Sequence, residues 1–452
     1  MLSAVVTMAI SLAAVFSKDA GLLHFDANWL PDLGSRITLE ADGMSKMLCL
    51  LTGIALPLIF SATWHQNEAD KKHFHGLMLL TQGGLMGVFL SMDCLLFYFF
   101  WELALIPAYF LCSMAGGEKR IRLVFKFFVY TFLGSLLLLV GILALYFKTP
   151  DHSFAWNSLR NATLTNSEQS FIFWLFFIAF AIKMPVFPFH TWQPDTYEQA
   201  PTGVTMLLSG VMVKMGLFAV MRWLIPVVPE ASNYFAPAVI LLSITGMLYA
   251  SLIAIKQDDL KRLVAYSSIA HIGLMCAAIF SQQSSSLHGV MIQSFYHGIN
   301  VIGLWIVVYA VEQKTGTRRM SELGGLARQA PALAILLVIM ALANIAMPLT
   351  NAFVGEFLMF NGLFKYNIWM AATGGISIIL GAVYTLWMVQ KVFYGEDKPA
   401  SAFAQDIGSE IKLPLIILSA LVILFGVYSQ PMLDLTKDTV EQIVAAINPV
   451  KS

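Results

Sequence analysis

The stretch that decides the fold is "AFAIKMPVFPFHTWQPDTYEQAPT", residues Ala179–Thr202. Its first residues end a long apolar run, yet Lys183 sits among them. Pro185 and Pro188 follow at once, and then a series of polar residues. A proline ring carries no N–H and interrupts the helical hydrogen-bond ladder. Irregular backbone at membrane depth survives only inside protein or beside a water-filled cavity. A lysine at such a break therefore points to a wet path through a bundle of helices.

The rest of the chain supplies the bundle. Hydrophobic residues make up 58% of the 452 and charged residues 12%, where soluble globular proteins carry about 25% charged. Mean hydropathy is +0.73. No soluble fold hides so much apolar surface, so the composition predicts an all-α polytopic membrane protein. Apolar runs of spanning length fall at about 2–17, 45–64, 75–92, 94–114, 121–147, 168–186 and 203–225. They continue at about 236–256, 262–281, 285–311, 331–350, 367–393 and 411–429. These thirteen runs predict thirteen transmembrane helices in one membrane domain, 1–452, without strands or soluble domains. The first run has no basic leader and reads as a short helix, not a signal peptide. The polar stretches 18–44 and 148–167 read as loops, and 313–330 as a surface segment.

Several function classes drop out. The 27 basic and 27 acidic residues cancel, so nothing in the charge invites a nucleic acid. Cys49, Cys94, Cys112 and Cys276 lie in apolar runs without CxxC or Cys/His spacing and read as small buried hydrophobes. No metal, haem or iron–sulfur site, phosphate loop or dinucleotide fingerprint is visible. Asn161-Ala-Thr163 matches the glycosylation pattern, which is short enough to arise by chance.

Alternating the loops strictly puts fifteen Lys and Arg residues on one side, among them Lys119, Arg262 and Arg318. The other side collects eight, among them Lys18, Arg36, Lys437 and Lys451. Basic residues favour the cytoplasmic side. The N-terminus is therefore expected in the cytoplasm and the C-terminus outside it.

Charges within the runs carry the functional signal. Glu102 lies deep in the fourth run, "LLFYFFWELALIPAYF", and Lys126 about one turn into the fifth. Lys183 ends the sixth, and Lys214 lies midway in the seventh. His271 and His297 occupy the ninth and tenth, and Glu356 follows the eleventh in "MPLTNAFVGEFLMF". An ionised side chain at the bilayer centre costs at least ~2.5–3.5 kcal/mol, so each should face the interior and find a partner or water. Taken singly, each reads as well as a static ion pair or a satisfied histidine. A set alternating acid, base and imidazole through consecutive helices reads as a proton or ion relay. Met347-Pro348 repeats the device of Met184-Pro185. The match predicts two five-helix repeats, 75–225 and 236–393, each with a broken helix. An odd helix count inverts the second repeat relative to the first. Lys183 is expected to face Glu102 across the bundle.

These residues resemble a known family, the antiporter-like membrane subunits of respiratory complex I (NADH–quinone oxidoreductase). "FFWELALIPAYFL", "FKFFVYT", the stretch Ala179–Thr202, "LKRLVAYSSIAHIGL" and "NAFVGEF" occur in the family's order and spacing. The resemblance is to its M type, chain four of the mitochondrial enzyme. Glu356 stands where the L and N types, and the D type of sodium/proton antiporters, carry lysine. Only about 23 residues follow the last helix, whereas the L type ends in a long lateral helix. The family has fourteen core helices, and its first has no counterpart here.

The resemblance implies a proton-translocating subunit of the bacterial inner membrane, beside L- and N-type subunits. It implies a proton relay of Glu102, Lys183, Lys214, His297 and Glu356, with Lys126 and His271 as accessory sites. It also implies no cofactor on this chain, a non-redox part of the translocase. NADH, FMN, iron–sulfur clusters and quinone would belong to partner subunits. A D-type sodium/proton antiporter subunit and a membrane-bound hydrogenase subunit are alternatives, separated by which partners copurify. A scaffold with static buried charges is a third.

Overall fold

The computed structural model describes residues 1–17, 19–64, 71–402 and 404–447. Lys18 and Lys451, two of the charges counted above, lie outside the described residues. Every expected run contains a helix, though 168–186 and 331–350 stop short at Lys183 and Asn344. The first seven are α1 (Leu2–Phe16), α2 (Gly43–Ala62), α3 (Lys71–Leu90), α4 (Cys94–Met114), α5 (Arg120–Tyr146), α6 (Asn166–Lys183) and α7 (Thr202–Leu224). They are followed by α8 (Pro229–Ile255), α9 (Leu260–Phe280), α10 (Ser284–Thr315), α11 (Pro331–Asn344), α12 (Ile368–Phe393) and α13 (Ser409–Val427). A last helix, α14 (Gln430–Ile447), closes the described chain.

Among the described residues, nine of these helices are long and apolar enough to cross a membrane: α2, α4, α5, α7, α8, α9, α10, α12 and α13. The other expected spans fall short for separate reasons. With 15 residues, α1 is about 22 Å long at 1.5 Å per residue, against a hydrocarbon core of about 30 Å. The first turns of α3 carry Lys71, Lys72, His73 and His75. Both α6 and α11 are halves of interrupted helices.

Helix starts follow from local chemistry. Asp42, Asp93 and Asp259 accept from backbone N–H groups of Ser45, of Leu95 and Leu96, and of Arg262, satisfying donors that a helix start leaves free. Thr165 and Glu168 form a reciprocal capping box at the start of α6.

The two interruptions have the same plan. α6 stops at Lys183, and the chain resumes as the short helix Trp192–Gln199. α11 stops at Asn344 and resumes as Asn351–Tyr366. A proline N cannot serve the carbonyls left behind, and side chains do so instead. Trp192 Nε1 donates to Ile182 O at 2.9 Å, and His271 Nε2 lies 3.1 Å from Asn344 O. α7 is irregular in another way, with π segments at Leu208–Met212 and Val220–Leu224 on either side of Lys214. Such widened turns recur at functional sites.

The structure corrects three expectations. Residues 18–44 are not a plain loop: β1 (His24–Leu30) and β2 (Ser35–Glu40) form an antiparallel hairpin. "HFDANWL" and "SRITLE" carry aromatic and β-branched residues around a "PDLG" turn, whose Gly34 takes a left-handed φ of 68°. Asp93 pins the hairpin to the bundle, accepting from Ser35 Oγ at 3.0 Å and Arg36 N at 3.1 Å. Residues 148–167 include the short helix Trp156–Arg160. The chain beyond α13 forms α14, whose buried Thr436, Val440 and Ile443 share one face at helical spacing.

Loops contact one another in two sets, at opposite ends of the bundle. Asp93 joins the hairpin, Trp156 Nε1 donates to Arg222 O at 2.9 Å, and Arg222 pairs with Asp42. The second set holds Asp195, Glu198, Arg262 and Arg318.

The Arg222–Asp42 pair is nearly enclosed, with side chains 7% and 15% exposed. Asp42→Ala strands a buried guanidinium, a loss of about 3–5 kcal/mol. Arg36→Ala removes an exposed partner of Asp26, and exposed pairs contribute about 0–1 kcal/mol. Thermal unfolding of the purified protein should show a clear drop in midpoint for the first variant and almost none for the second.

Candidate functional site

The site begins where two helix backbones touch. A Cβ added at Gly298 of α10 would lie 2.8 Å from the Gly210 carbonyl oxygen of α7, so glycine is required for this approach. Small residues let membrane helices close in this way. Lys214 stands one turn after Gly210, and His297 directly precedes Gly298. Lys214 Nζ therefore lies 2.8 Å from His297 Nδ1 and donates to Ser209 O at 2.9 Å. That carbonyl belongs to the first π segment. Lys214 is 0% and His297 4% exposed.

From His297 the polar groups continue to α9. Ser268 Oγ lies 3.4 Å from His297 Nε2, and the His297 and His271 ring centroids are 5.5 Å apart. His271 Nδ1 is 2.8 Å from Ser267 O. Its Nε2 is 3.1 Å from Asn344 O and 3.5 Å from Glu356 Oε1. Both ring nitrogens face acceptors; a neutral imidazole can serve one side and an imidazolium both. Asn344 is held in turn, its Nδ2 donating to Thr385 Oγ1 at 2.9 Å. A cavity of about 30 Å³ lies among His271, Asn344, Glu356, Ser377 and Tyr384. A water needs about 10–15 Å³ measured in this way. Lys214, His297, His271 and Glu356 thus form a continuous series of proton-bearing groups from α7 to the far side of the second break.

Glu102 and Lys183 stand apart from that series. Lys183 is 2% exposed, its Nζ makes no hydrogen bond, and it lies 5.3 Å from the Trp101 ring centroid. Glu102 is the next residue on α4, and its Oε1 is also buried without a hydrogen bond. The carboxylate is near enough to act on the ammonium through its charge, but no hydrogen bond or ion pair joins the two. α6 and α7 pack closely between Lys183 and Lys214, with Gly216 of α7 against Met184 and the Phe180 carbonyl.

Lys126 has a separate place. Its Nζ donates to Thr191 O and to Asp195 Oδ2, both at 2.9 Å, and so anchors the short helix after the first break. Asp195 also takes Arg262 Nη1 at 3.1 Å, and Glu198 takes the same nitrogen at 2.8 Å. Arg318 pairs with Glu198, Asp259 and Glu312, and Lys261 Nζ lies 3.3 Å from Glu312. The sequence does not single out this cluster, because its members sit at helix ends, where charge is unremarkable. The legible signal was Asp195 and Glu198, three residues apart and so on one helix face. Among the described residues, no group of three His, Cys, Asp or Glu is placed to hold a metal ion.

A family model described as the transmembrane part of NADH:quinone oxidoreductases and Mrp antiporters matches residues 91–381. NADH-quinone oxidoreductase subunit M of Rhodobacter capsulatus is 35% identical over 433 residues, covering 93% of this chain and 84% of the relative. Subunit M of Escherichia coli K12 is 34% identical over 431 residues, covering 93% and 85%. The fold matches a chain of respiratory complex I from Thermus thermophilus with a TM-score of 0.91 and 29% identity, over 99% of this chain and 94% of that one. A chain of the Mrp complex from Dietzia shares the fold at a TM-score of 0.89 and 20% identity, over 99% and 92%. The family match spans both helix breaks and every buried charge from Glu102 to Glu356, and the chain belongs to the NADH:quinone oxidoreductase and Mrp antiporter family of membrane proteins.

Proposed function

We propose that the chain is the M-type, proton-translocating membrane subunit of an NADH:quinone oxidoreductase, with no redox chemistry of its own. The observation that carries this reading is the contact series Lys214, His297, His271 and Glu356. Each member can gain and lose a proton, and each lies close enough to the next for transfer directly or through one side chain or water. Glu102 and Lys183 are the control pair at the other end. Buried polar atoms without partners are rare. A lysine and a glutamate that are both left so describe a pair able to move between separated and ion-paired arrangements.

The chemistry follows from that geometry. When the Glu102 carboxylate draws Lys183 toward it, the positive charge near α7 falls, and Lys214 holds its proton more readily. When the pair separates, the Lys183 charge favours transfer from Lys214 Nζ to His297 Nδ1. The proton then crosses by way of Ser268 or His271 to Glu356. Moving one charge against 100 mV costs ~2.3 kcal/mol. The relay therefore draws on electron transfer in partner subunits, which carry NADH, FMN, iron–sulfur clusters and quinone. L- and N-type subunits are the proposed membrane neighbours.

The two breaks support repeats at 75–225 and 236–393. The end of the bundle holding Arg262 and Arg318 is the proposed cytoplasmic face of a bacterial inner membrane, with the N-terminus on that side. The hairpin, α14 and the C-terminus lie on the other. The relatives named subunit M favour this reading over a D-type antiporter subunit, because the Mrp likeness at 20% identity extends to the fold alone.

Thiol labelling in sealed vesicles tests the orientation. Cysteines placed at Lys119 and Lys437 should react from opposite sides, the first from the cytoplasm. Glu356→Gln keeps the volume but cannot bind and release a proton. Positioned proton carriers contribute about 100-fold or more, so NADH-driven acidification of inverted vesicles should fall to a few per cent with the complex still assembled. Lys183→Ala ends at a helix break and should cost little packing, yet it removes the cation from the control pair. Pumping and quinone reduction should fall together, with assembly checked by native electrophoresis. A Lys183→Ala complex that pumps at the wild-type proton-to-electron ratio would falsify the relay.

A further inference from the structure

We propose that Asn344 is a positioning residue for the last transfer of the relay: its backbone carbonyl holds the Nε2 proton on His271 until Glu356 takes it. The inference rests on the reading of His271 and Glu356 as proton carriers. It names what keeps those two groups from exchanging a proton freely.

The carbonyl is available because of a proline. In a helix the carbonyl of residue i accepts from the N–H of residue i+4. Four residues after Asn344 stands Pro348, which has no N–H. The preceding carbonyls of Ala341, Leu342 and Ala343 do find backbone donors, in Ile345, Met347 and Ala346. Beyond α11 the chain takes left-handed φ values of 51° at Ala346 and 73° at Leu349. Residues with a Cβ adopt that conformation at a cost, and such strain clusters at functional sites. The outcome is that Asn344 O faces His271 Nε2 at 3.1 Å.

The Asn344 side chain fixes this direction. Its Nδ2 donates to Thr385 Oγ1 of α12 at 2.9 Å and to Ser267 Oγ of α9 at 3.2 Å. Ser267 Oγ accepts in turn from Tyr384 Oη at 3.0 Å. Ser267, Tyr384 and Thr385 are buried. The end of α11 is thus clamped between α12 and the helix that carries His271. Ser267 lies one turn before that histidine, and its carbonyl is 2.8 Å from His271 Nδ1.

A carbonyl oxygen can only accept, so the imidazole meets an acceptor at each nitrogen. A neutral ring has one N–H and sets its other lone pair against a carbonyl, whereas the imidazolium satisfies both. Asn344 O therefore stabilises a proton on Nε2, and it is nearer than Glu356 Oε1 at 3.5 Å. Transfer takes place when this hydrogen turns from Asn344 O to the carboxylate. The Nε2–H bond breaks, an O–H bond forms on Glu356, and the ring keeps its Nδ1 proton. One imidazolium and one carboxylate become two neutral groups.

Three variants test the clamp in assembled complexes. Asn344→Ala removes it, Thr385→Val removes one of its acceptors while keeping volume, and Thr385→Ser keeps the hydroxyl. Infrared difference spectroscopy reads the C=O stretch of a protonated carboxyl, assigned to Glu356 by its loss in Glu356→Gln. A hydrogen bond to a charged group shifts a population about tenfold or more. Asn344→Ala and Thr385→Val should raise the ratio of protonated to ionised Glu356 by about that factor and lower the protons pumped per electron. Thr385→Ser should match the wild type in both. A role in packing alone would leave the carboxyl band unmoved. An unchanged band and pumping ratio in the first two variants, or the same loss in Thr385→Ser as in Thr385→Val, would overturn the proposal. If Glu356→Gln still blocks pumping in that case, the relay stands without the clamp. If Glu356→Gln pumps normally, both fall. Should Asn344→Ala fail to assemble, the two Thr385 variants decide.

Discussion

The backbone contact between Gly210 and Gly298 is the constraint on which the site depends. A side chain at Gly298 would push α7 and α10 apart, since its Cβ would meet the facing Gly210 carbonyl, and one at Gly210 would displace Ile302 of α10. The 2.8 Å approach of Lys214 to His297 exists because the helices meet there. Two titratable groups that would be costly in isolation share one hydrogen bond in an enclosed place.

The helix breaks do a second job. An unbroken α-helix keeps its carbonyls to itself, whereas an interrupted one releases them at membrane depth, where each needs a donor. Trp192 donates at the first break, and a ring nitrogen of His271 faces the freed carbonyl at the second. The first is inert to protonation changes at neutral pH, and its break is fixed. The second is a histidine that also reaches Glu356, so the hydrogen bonding of the second break depends on which ring nitrogen carries the proton. The two breaks share a plan, but only the second is met by a titratable side chain.

The charges fall into three kinds with different physics. Lys214, His297, His271 and Glu356 touch in sequence. Glu102 and Lys183 interact through space and are otherwise unpartnered. Lys126, Asp195, Glu198, Arg262 and Arg318 form a dense ion cluster at one end of the bundle. A network of this kind fixes the short helix Trp192–Gln199 at that end of the bundle. Lys126 belongs to this last kind, although its place inside an apolar run had grouped it with the relay.

Much of this was readable from the chain itself. Apolar runs of bilayer length can only be helices, because hydrocarbon offers no partner for a free backbone group. Proline after a run can only end the helix. Charges inside such runs can only face inward. Those three rules located the thirteen runs, both breaks and the seven charges inside or beside the runs. They could not say which charges meet, because contact between α7 and α10, or between α9 and Glu356, depends on packing between segments far apart in sequence. They also passed over the hairpin, since polar residues in a short amphipathic strand look like a loop until a partner strand and Asp93 are in place. Gln193, Tyr197 and Ser209 were silent for the same reason. A neutral polar residue in a helix carries no signal of its own, and only the tertiary structure shows that these three are buried together.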